Sequence, residues 1–204
     1  MIRCVLFDVD GVLIESDVAH FQSMDHALRE HGFTGLTDDL YNRFGTISSR
    51  NKLKAISRHL DLDWTDDVIS SIALRKFELL DYDMINFNTH LESIVDDLRK
   101  QKLSVGVVTN ARYEFAEAVC KRLNVTVDCI ISNTMGLPGK PSPDMYQRAM
   151  HMLSSKGPTT LVYEDSPTGI TAATIAKCNV SVIDHYLDLT PTRVRNDINS
   201  LNNA

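Results

Sequence analysis

The sequence predicts an α/β protein built on a parallel sheet, with a helical segment inserted near the N-terminus. Short, continuously apolar β-type runs support the sheet, at residues 2–7, 104–108, 129–131, 160–164 and 180–183. Helix-type patterns separate the later runs, at residues 91–101, 112–123, 143–153 and 167–176. Strands that are apolar throughout and alternate with helices are typical of a parallel sheet covered on both faces.

The inserted segment has a different pattern from the rest of the chain. Helical periodicity runs from about residue 15 to residue 87, and no convincing strand pattern interrupts it. We therefore predict a discontinuous core domain, residues 1–14 and 88–204, with a helical domain at 15–87. The last dozen residues are polar and rich in asparagine, and we expect them to fray.

Composition places the chain among ordinary soluble proteins. It has 204 residues, 43% hydrophobic and 24% charged, which fits one large domain or a core with a smaller insertion. The net charge of −6 provides no global basic field, so we expect neither nucleic acid nor a membrane surface as a partner. No signal peptide or membrane-spanning run is recognisable, which favours the cytoplasm. We expect a monomer or a weak dimer.

The cysteines argue against zinc or disulfide chemistry. Cys4, Cys120, Cys129 and Cys178 lie in apolar segments, and no pair has the C-x-x-C spacing. This arrangement predicts buried, reduced thiols.

Two aspartates directly follow the first predicted strand. Asp8 and Asp10 precede Gly11, at the point where a parallel strand would end. Burying such a pair is costly unless a cation, hydrogen bonds or solvent compensate it. Carboxylate oxygens suit Mg²⁺, and a carboxylate beside a metal can also attack a phosphoryl group. The alternative is a capped turn whose aspartates are solvated.

Three further polar clusters follow predicted strands. Thr109 and Asn110 offer a hydroxyl and an amide that could hold phosphate oxygens. Lys140, in a Gly-Lys-Pro sequence just before a helix, offers a point charge against a phosphate. Glu164 and Asp165 add two carboxylates for a cation. Ligands bind beyond the carboxyl ends of the strands in open parallel sheets, so these clusters are expected to meet at one edge.

Each cluster also has a purely structural interpretation. Thr109 and Asn110 could cap the following helix, and Lys140 could be a solvated surface lysine. Ser166 could be a helix N-cap, with Pro167 at the first helical position. The occurrence of suitable chemistry at four separate strand ends favours a metal-and-phosphate site over these alternatives.

The four clusters resemble the motifs of the haloacid dehalogenase superfamily, in family order and over nearly the full chain. The matching sequences are DVDGVL at 8–13, VVTN at 107–110, KP at 140–141 and EDSPTGI at 164–170. The resemblance implies a Rossmann-like core with residues 15–87 as an α-helical cap. The most similar branch contains β-phosphoglucomutase and phosphoglycolate phosphatase-like enzymes.

The resemblance also implies roles for the polar residues. Asp8 is the nucleophile that forms an aspartyl phosphate, and Asp10 is the general acid and base. An aspartate at this second position is similar to phosphatases and mutases rather than dehalogenases. Mg²⁺ is held by the Asp8 carboxylate, the Asp10 main-chain carbonyl, Asp165 and, through water, Glu164.

The remaining motif residues are implied to contact the transferring phosphoryl group. Thr109, Asn110 and Lys140 neutralise its charge, and Thr109 and Lys140 count with the two motif-one aspartates as catalytic. Such a set fits phosphoryl transfer, which depends on positioning and electrostatic stabilisation.

Two residues of the predicted cap are candidates for substrate binding. His20 is similar in position to a mutase histidine that influences the acid–base aspartate, although a lone helical histidine is more often structural. Arg50 resembles the cap arginine that clamps a substrate phosphate, with its register offset by about one residue. Lys76, beside Arg75, could add a cationic contact, but we expect a solvated helix face there.

These features favour hydrolysis of a small phosphorylated metabolite, such as a sugar phosphate or phosphoglycolate. The stretch TNAR at 109–112 is more similar to phosphatases than to mutases. A mutase also needs a second, strongly basic phosphate site, and Arg50 alone provides too little positive charge for one. The alternatives are a β-phosphoglucomutase-like transferase and a non-catalytic member that binds a ligand or a protein partner.

Overall fold

A computed structural model describes residues 1–45 and 47–203. Thr46, in the segment before Arg50, and Ala204 lie outside the described residues. The chain divides into two compact units, one formed by Met1–Glu15 with Phe87–Ala204 and the other by Ser16–Asn86. None of the helices in the described ranges combines the length and hydropathy needed to cross a bilayer.

The strands and helices follow each other along the chain in this order. The strands are β1 (Cys4–Phe7), β2 (Ile14–Glu15), β3 (Asn86–Phe87), β4 (Ser104–Thr109), β5 (Cys129–Ser132), β6 (Thr160–Glu164) and β7 (Asn179–Val182). The helices are α1 (Asp17–Glu30), α2 (Asp38–Asn42), α3 (Ser49–His59), α4 (Asp66–Glu78), α5 (Leu91–Lys100), α6 (Tyr113–Arg122), α7 (Asp144–Met152), α8 (Pro167–Ile175) and α9 (Pro191–Asn203).

The first unit contains a parallel sheet with the strand order β5-β4-β1-β6-β7. β1 is its central strand, and all four residues of β1 are buried because helices cover both faces. Phe7 is level with Val107 on one neighbour and with Tyr163 on the other. The predicted α/β fold class with a Rossmann-like parallel sheet is confirmed.

Helices cover the sheet with the apolar stripes that the sequence pattern indicates. α5 buries Leu91, Ile94, Val95 and Leu98, the i, i+3, i+4, i+7 spacing of an amphipathic helix. α7 and α8 contribute to one apolar cluster with residues from the strands. Packing therefore fixes the start of each helix relative to the strand ends.

The second unit, Ser16–Asn86, has its own helical core. Its buried apolar residues come mainly from α1, α3 and α4, including Met24, Leu28, Leu53, Ile56 and Ile72. β2 and β3, two residues each, lie at the two ends of the stretch predicted to be free of strands.

The C-terminal segment differs from the prediction. Residues expected to fray form α9, which buries Val194 and Ile198 and is therefore fixed by packing. The Asn202 side chain also accepts a 2.6 Å hydrogen bond from the Ile2 backbone N–H. The four cysteines are free thiols, as predicted, with Cys178 half-buried and the others buried.

Candidate active site

Three polar side chains meet where neighbouring parallel strands end. Asp8 directly follows β1, Thr109 is the last residue of β4, and Glu164 is the last residue of β6. Because Phe7 is level with Tyr163, the next residues, Asp8 and Glu164, leave adjacent strands side by side. The candidate site therefore lies at the carboxyl edge of the sheet.

Lys140 links two of these carboxylates. Its Nζ lies 2.7 Å from Asp8 Oδ1 and 2.5 Å from Glu164 Oε1. Lys140 is 5% exposed, Asp8 7% and Glu164 0%, so the lysine is not a solvated surface residue. Three separate segments of the chain thus form one buried ion-pair network.

Asn110 fixes the loop that carries Lys140. Its Oδ1 accepts a 3.0 Å hydrogen bond from the Lys140 backbone N–H, and Asn133 donates from its side-chain amide to the Asn110 carbonyl. Thr109 Oγ1 accepts from the Ala111 N–H at 3.0 Å. Within the described residues α6 begins after Arg112 without a side-chain cap, so the capping alternative for Thr109 and Asn110 is wrong.

Glu164 has its hydrogen-bonding capacity filled by neighbours. Its Oε1 also accepts from the Tyr146 hydroxyl at 2.6 Å. Its Oε2 accepts from the Asp165 N–H, the Ser166 N–H and the Ser166 hydroxyl at 3.1–3.3 Å. Gly169 leaves the room that Glu164 occupies, because a Cβ there would overlap the carboxylate.

Tyr146 is a site residue that the sequence analysis did not identify. Ser166 was expected only as a helix cap, but its hydroxyl also contacts Glu164. Tyr146 lies on the buried face of α7, and a hydroxyl at such a position requires a partner, which was the available signal. Ser166 caps α8 as predicted, accepting from the Gly169 N–H at 3.1 Å with Pro167 at the first turn.

Asp165 and Gly11 lie against each other. Asp165 Oδ1 is buried and has no hydrogen-bond partner among the described residues. Gly11 has a φ of 81°, and a Cβ at this position would overlap the Asp165 carboxylate. Asp10 is half-buried, and its charge contributes to raising the pKa of Asp165. The loop after β1 thus adjoins the loop after β6.

The site holds more negative than positive charge. Burial raises the pKa of Asp8, Lys140 opposes this shift, and Glu164 and Asp165 reinforce it. Burial, with the nearby Glu164 charge, raises the pKa of Asp165 to about 7. Burial alone would lower the pKa of Lys140, but Asp8 and Glu164 outweigh it and the pKa is raised. One ammonium therefore faces three carboxylates.

The donor set fits a hard divalent cation. Asp8, Glu164 and Asp165 each offer a carboxylate oxygen, and the three oxygens lie within 4.8 Å of one another. The unpartnered Asp165 oxygen is the kind of buried atom that a cation would satisfy. Oxygen ligands and surplus negative charge are what Mg²⁺ requires.

The predicted cap residues lie in the second unit. Lys76 Nζ is 3.1 Å from His20 Nδ1 and 3.1 Å from Ser49 Oγ. Lys76 is only 8% exposed, so the expected solvated face is wrong: Lys76 lies on the stripe of α4 that also buries Ile69. Arg50 is half-exposed, 3.7 Å from Asp66.

A buried lysine that bridges two carboxylates at the carboxyl edge of a parallel sheet places the protein among α/β proteins with a charged site at that edge, where such folds bind ligands. The family model of haloacid dehalogenase-like hydrolases matches residues 5–183. The chain belongs to this family, and it is an enzyme of the hydrolase class.

Curated relatives agree with this assignment, and a solved structure has the same fold. The chain is 20% identical to a phosphorylated carbohydrates phosphatase from Thermotoga maritima, over 84% of this chain and 80% of that protein. It is 25% identical to β-phosphoglucomutase from Bacillus subtilis, over 83% and 78%. The crystal structure of CbbY from Rhodobacter sphaeroides in complex with phosphate matches with a TM-score of 0.80 and 23% identity, covering 93% and 96%.

Proposed function

We propose that this protein is a Mg²⁺-dependent phosphatase that hydrolyses a small phosphorylated metabolite through a phosphoaspartate at Asp8. The observation that carries the proposal is the buried contact of Asp8 with Lys140, which is itself held by Glu164. The name of the T. maritima relative supports a phosphorylated carbohydrate as substrate. Sugar phosphates and phosphoglycolate are the expected classes.

Asp8 would attack the phosphorus through a carboxylate oxygen. The P–O bond to the substrate then breaks, and its electron pair leaves with the ester oxygen, which takes a proton from Asp10. In the second half of the reaction Asp10 removes a proton from water, and the water oxygen attacks the phosphorus of the phosphoaspartate. Inorganic phosphate leaves and the Asp8 carboxylate is restored.

The metal site is proposed on the same residues. Asp8, Asp165, the Asp10 main-chain carbonyl and, through water, Glu164 would hold Mg²⁺. When bound, the cation supplies Lewis-acid stabilisation of negative charge on the phosphoryl oxygens. The hydrogen bonds to both Glu164 oxygens support an indirect contact for this residue.

The phosphoryl group would be received by donors on two loops. The Lys140 ammonium has three N–H groups, and among the described residues two contact Asp8 and Glu164, which leaves one for a phosphoryl oxygen. Asn110 accepts a hydrogen bond from the Lys140 backbone N–H, and Thr109 precedes it as the last residue of β4. Preorganised donors of this kind stabilise charge in a transition state.

Residues 15–87 are proposed to act as the cap that selects the substrate. His20 and Arg50 are the proposed contacts to the substrate in this segment. His20 Nδ1 lies beside Lys76 Nζ, which places a second cation in the same helical unit. We propose that these side chains bind the leaving-group part of the substrate and so determine which metabolite is accepted.

A β-phosphoglucomutase-like phosphoryl transfer is the second candidate. Two observations favour it. The B. subtilis relative carries that name, and the buried Lys76 adds a second positive charge to that of Arg50. A mutase requires a bisphosphate activator and returns an isomerised sugar phosphate. Hydrolysis releases inorganic phosphate instead.

The test is phosphate release from a panel of small phosphate esters, with Mg²⁺ and with chelator. We expect release by the wild type that chelator abolishes, and no turnover by Asp8→Asn. The control is Asp96→Asn, which changes an exposed aspartate on α5. Wild-type turnover by folded Asp8→Asn would refute the nucleophile, and isomerisation of β-glucose 1-phosphate with a bisphosphate primer would establish the mutase.

A further inference from the structure

Tyr146 is buried beside the ion pair of the candidate site. It is 0% exposed, and its hydroxyl donates a 2.6 Å hydrogen bond to Glu164 Oε1. Its ring centroid lies 5.3 Å from Lys140 Nζ. Tyr146 therefore contacts both partners of the ion pair, through two different parts of its side chain.

The tyrosine and the lysine share one oxygen atom. Glu164 Oε1 accepts from Tyr146 at 2.6 Å and from Lys140 at 2.5 Å, whereas Oε2 accepts from Ser166 and from two backbone N–H groups. Each hydrogen bond that an oxygen accepts reduces the charge it presents to another donor. The Tyr146 hydroxyl therefore weakens the attraction of Glu164 for Lys140.

Lys140 divides its charge between two carboxylates. Its Nζ lies 2.7 Å from Asp8 Oδ1 and 2.5 Å from Glu164 Oε1, which belong to carboxylates at the ends of the neighbouring strands β1 and β6. A stronger pull from Glu164 would draw the ammonium away from Asp8. In the proposed function, that movement would remove positive charge from the nucleophile and from the arriving phosphoryl group.

We propose that Tyr146 is a positioning residue for the phosphoryl-transfer reaction, which keeps Lys140 on Asp8 by occupying Glu164 Oε1. The catalytic effect of Tyr146 depends on the proposed function being correct. Its structural part, the placement of the Lys140 ammonium, does not depend on that function.

Tyr146→Phe tests the hydroxyl alone, because the ring beside Lys140 is kept. We expect kcat to fall about tenfold, the size of a lost hydrogen bond to a charged group, while KM changes less than about twofold. The matched control is Tyr163→Phe, which removes another buried hydroxyl that donates to a carboxylate, Asp197, at 3.1 Å. The control should keep wild-type kcat.

A second measurement follows the lysine directly. The protein is labelled with nitrogen-15 at its lysines and studied by NMR. The Lys140 ammonium resonance is the one that disappears in Lys140→Met. We expect Tyr146→Phe to shift this resonance and Tyr163→Phe to leave it in place. Urea unfolding of both phenylalanine variants measures any general loss of stability.

The outcomes separate the inference from the proposed function. An unchanged ammonium resonance with unchanged kcat in Tyr146→Phe overturns the inference. Equal losses of kcat in both phenylalanine variants, in proportion to their loss of stability, also overturn it and leave a structural role only. If the wild type hydrolyses no ester, the proposed function fails, and the ammonium resonance still decides whether Tyr146 places Lys140.

Discussion

Replacing Asp165 by asparagine is expected to stabilise the metal-free protein and to remove its stabilisation by Mg²⁺. Asp165 is half-buried next to Glu164, and the partial burial and the Glu164 charge raise its pKa from 3.8 to about 7. Above neutral pH the charged Asp165 carboxylate therefore lowers the free energy of unfolding of the metal-free protein. Asparagine keeps the shape and removes the charge.

The size of the effect follows from the shift in pKa. A rise from 3.8 to about 7 is about three pH units, and each unit corresponds to about 1.4 kcal/mol, so the ceiling is about 4 kcal/mol. Between these two pKa values the folded state binds more protons than the unfolded state. The free energy of unfolding of the metal-free wild type therefore falls as pH rises from about 4 to about 7.

Urea unfolding in chelator, at pH 5 and at pH 8, measures this contribution. We expect Asp165→Asn to exceed the wild type at pH 8 by up to about 4 kcal/mol, and by less at pH 5. Adding Mg²⁺ should stabilise the wild type, since a ligand that binds only the folded state raises its stability. The variant should respond little, and the exposed Asp96→Asn control should behave as the wild type.

Two results would refute this reasoning. An Asp165→Asn protein that is less stable than the wild type at pH 8 in chelator would show that the carboxylate is not under electrostatic strain. A variant with the full wild-type response to Mg²⁺ would remove Asp165 from the metal site.

Three other substitutions have defined expectations. Lys140→Met should lower the free energy of unfolding by about 3–5 kcal/mol at pH 8, as measured by urea unfolding. The loss should be smaller at pH 5, because burial raises the pKa of Asp8 and a protonated Asp8 leaves less unpaired charge; equal stability would contradict the buried ion pair. Lys52→Met should stabilise the protein by about 1–3 kcal/mol at pH 7, because burial lowers the pKa of Lys52 to about 8 against the opposing charge of Asp17. Its Nζ donates to the Tyr41 carbonyl at 3.0 Å and lies over the Tyr41 ring. The folded protein binds fewer protons than the unfolded chain between pH 8 and 10.5, so this gain should shrink over that range, and a constant gain would count against the cause. Gly11→Ala should lower the free energy of unfolding by about 1–2 kcal/mol, because the backbone at this position has a left-handed φ. The variant should also lose most of its Mg²⁺-dependent phosphate release, because the added Cβ would overlap Asp165; normal activity would exclude that overlap.

The central strands of the sheet were predictable because β1, β4 and β6 are rich in apolar residues and are buried along almost their whole length. The β1, β4 and β6 runs can be recognised without knowledge of their partner strands. The polar residues predicted at their ends, Asp8, Thr109 and Glu164, lie at the carboxyl edge of the sheet. α9 was missed because Val194 and Ile198 are too sparse a stripe to stand out in a polar segment.

Buried polar side chains on helices were harder to predict. Tyr146 follows the same periodicity as the apolar residues of α7, so its hydroxyl contact with Glu164 is visible only in three dimensions. Lys76 had a usable signal, because it lies seven residues after Ile69 on the same stripe of α4. A charged residue on a buried stripe indicates a specific partner.

The position of β1 has a consequence for how the chain is made. The central strand β1 is synthesised before its partners β4 and β6, which lie beyond the whole segment Ser16–Asn86. That segment is continuous and has its own apolar core, whereas the four apolar residues of β1 cannot pair until β4 and β6 have been made. During synthesis the nascent chain therefore carries an unpaired apolar strand, and such a strand is prone to aggregation.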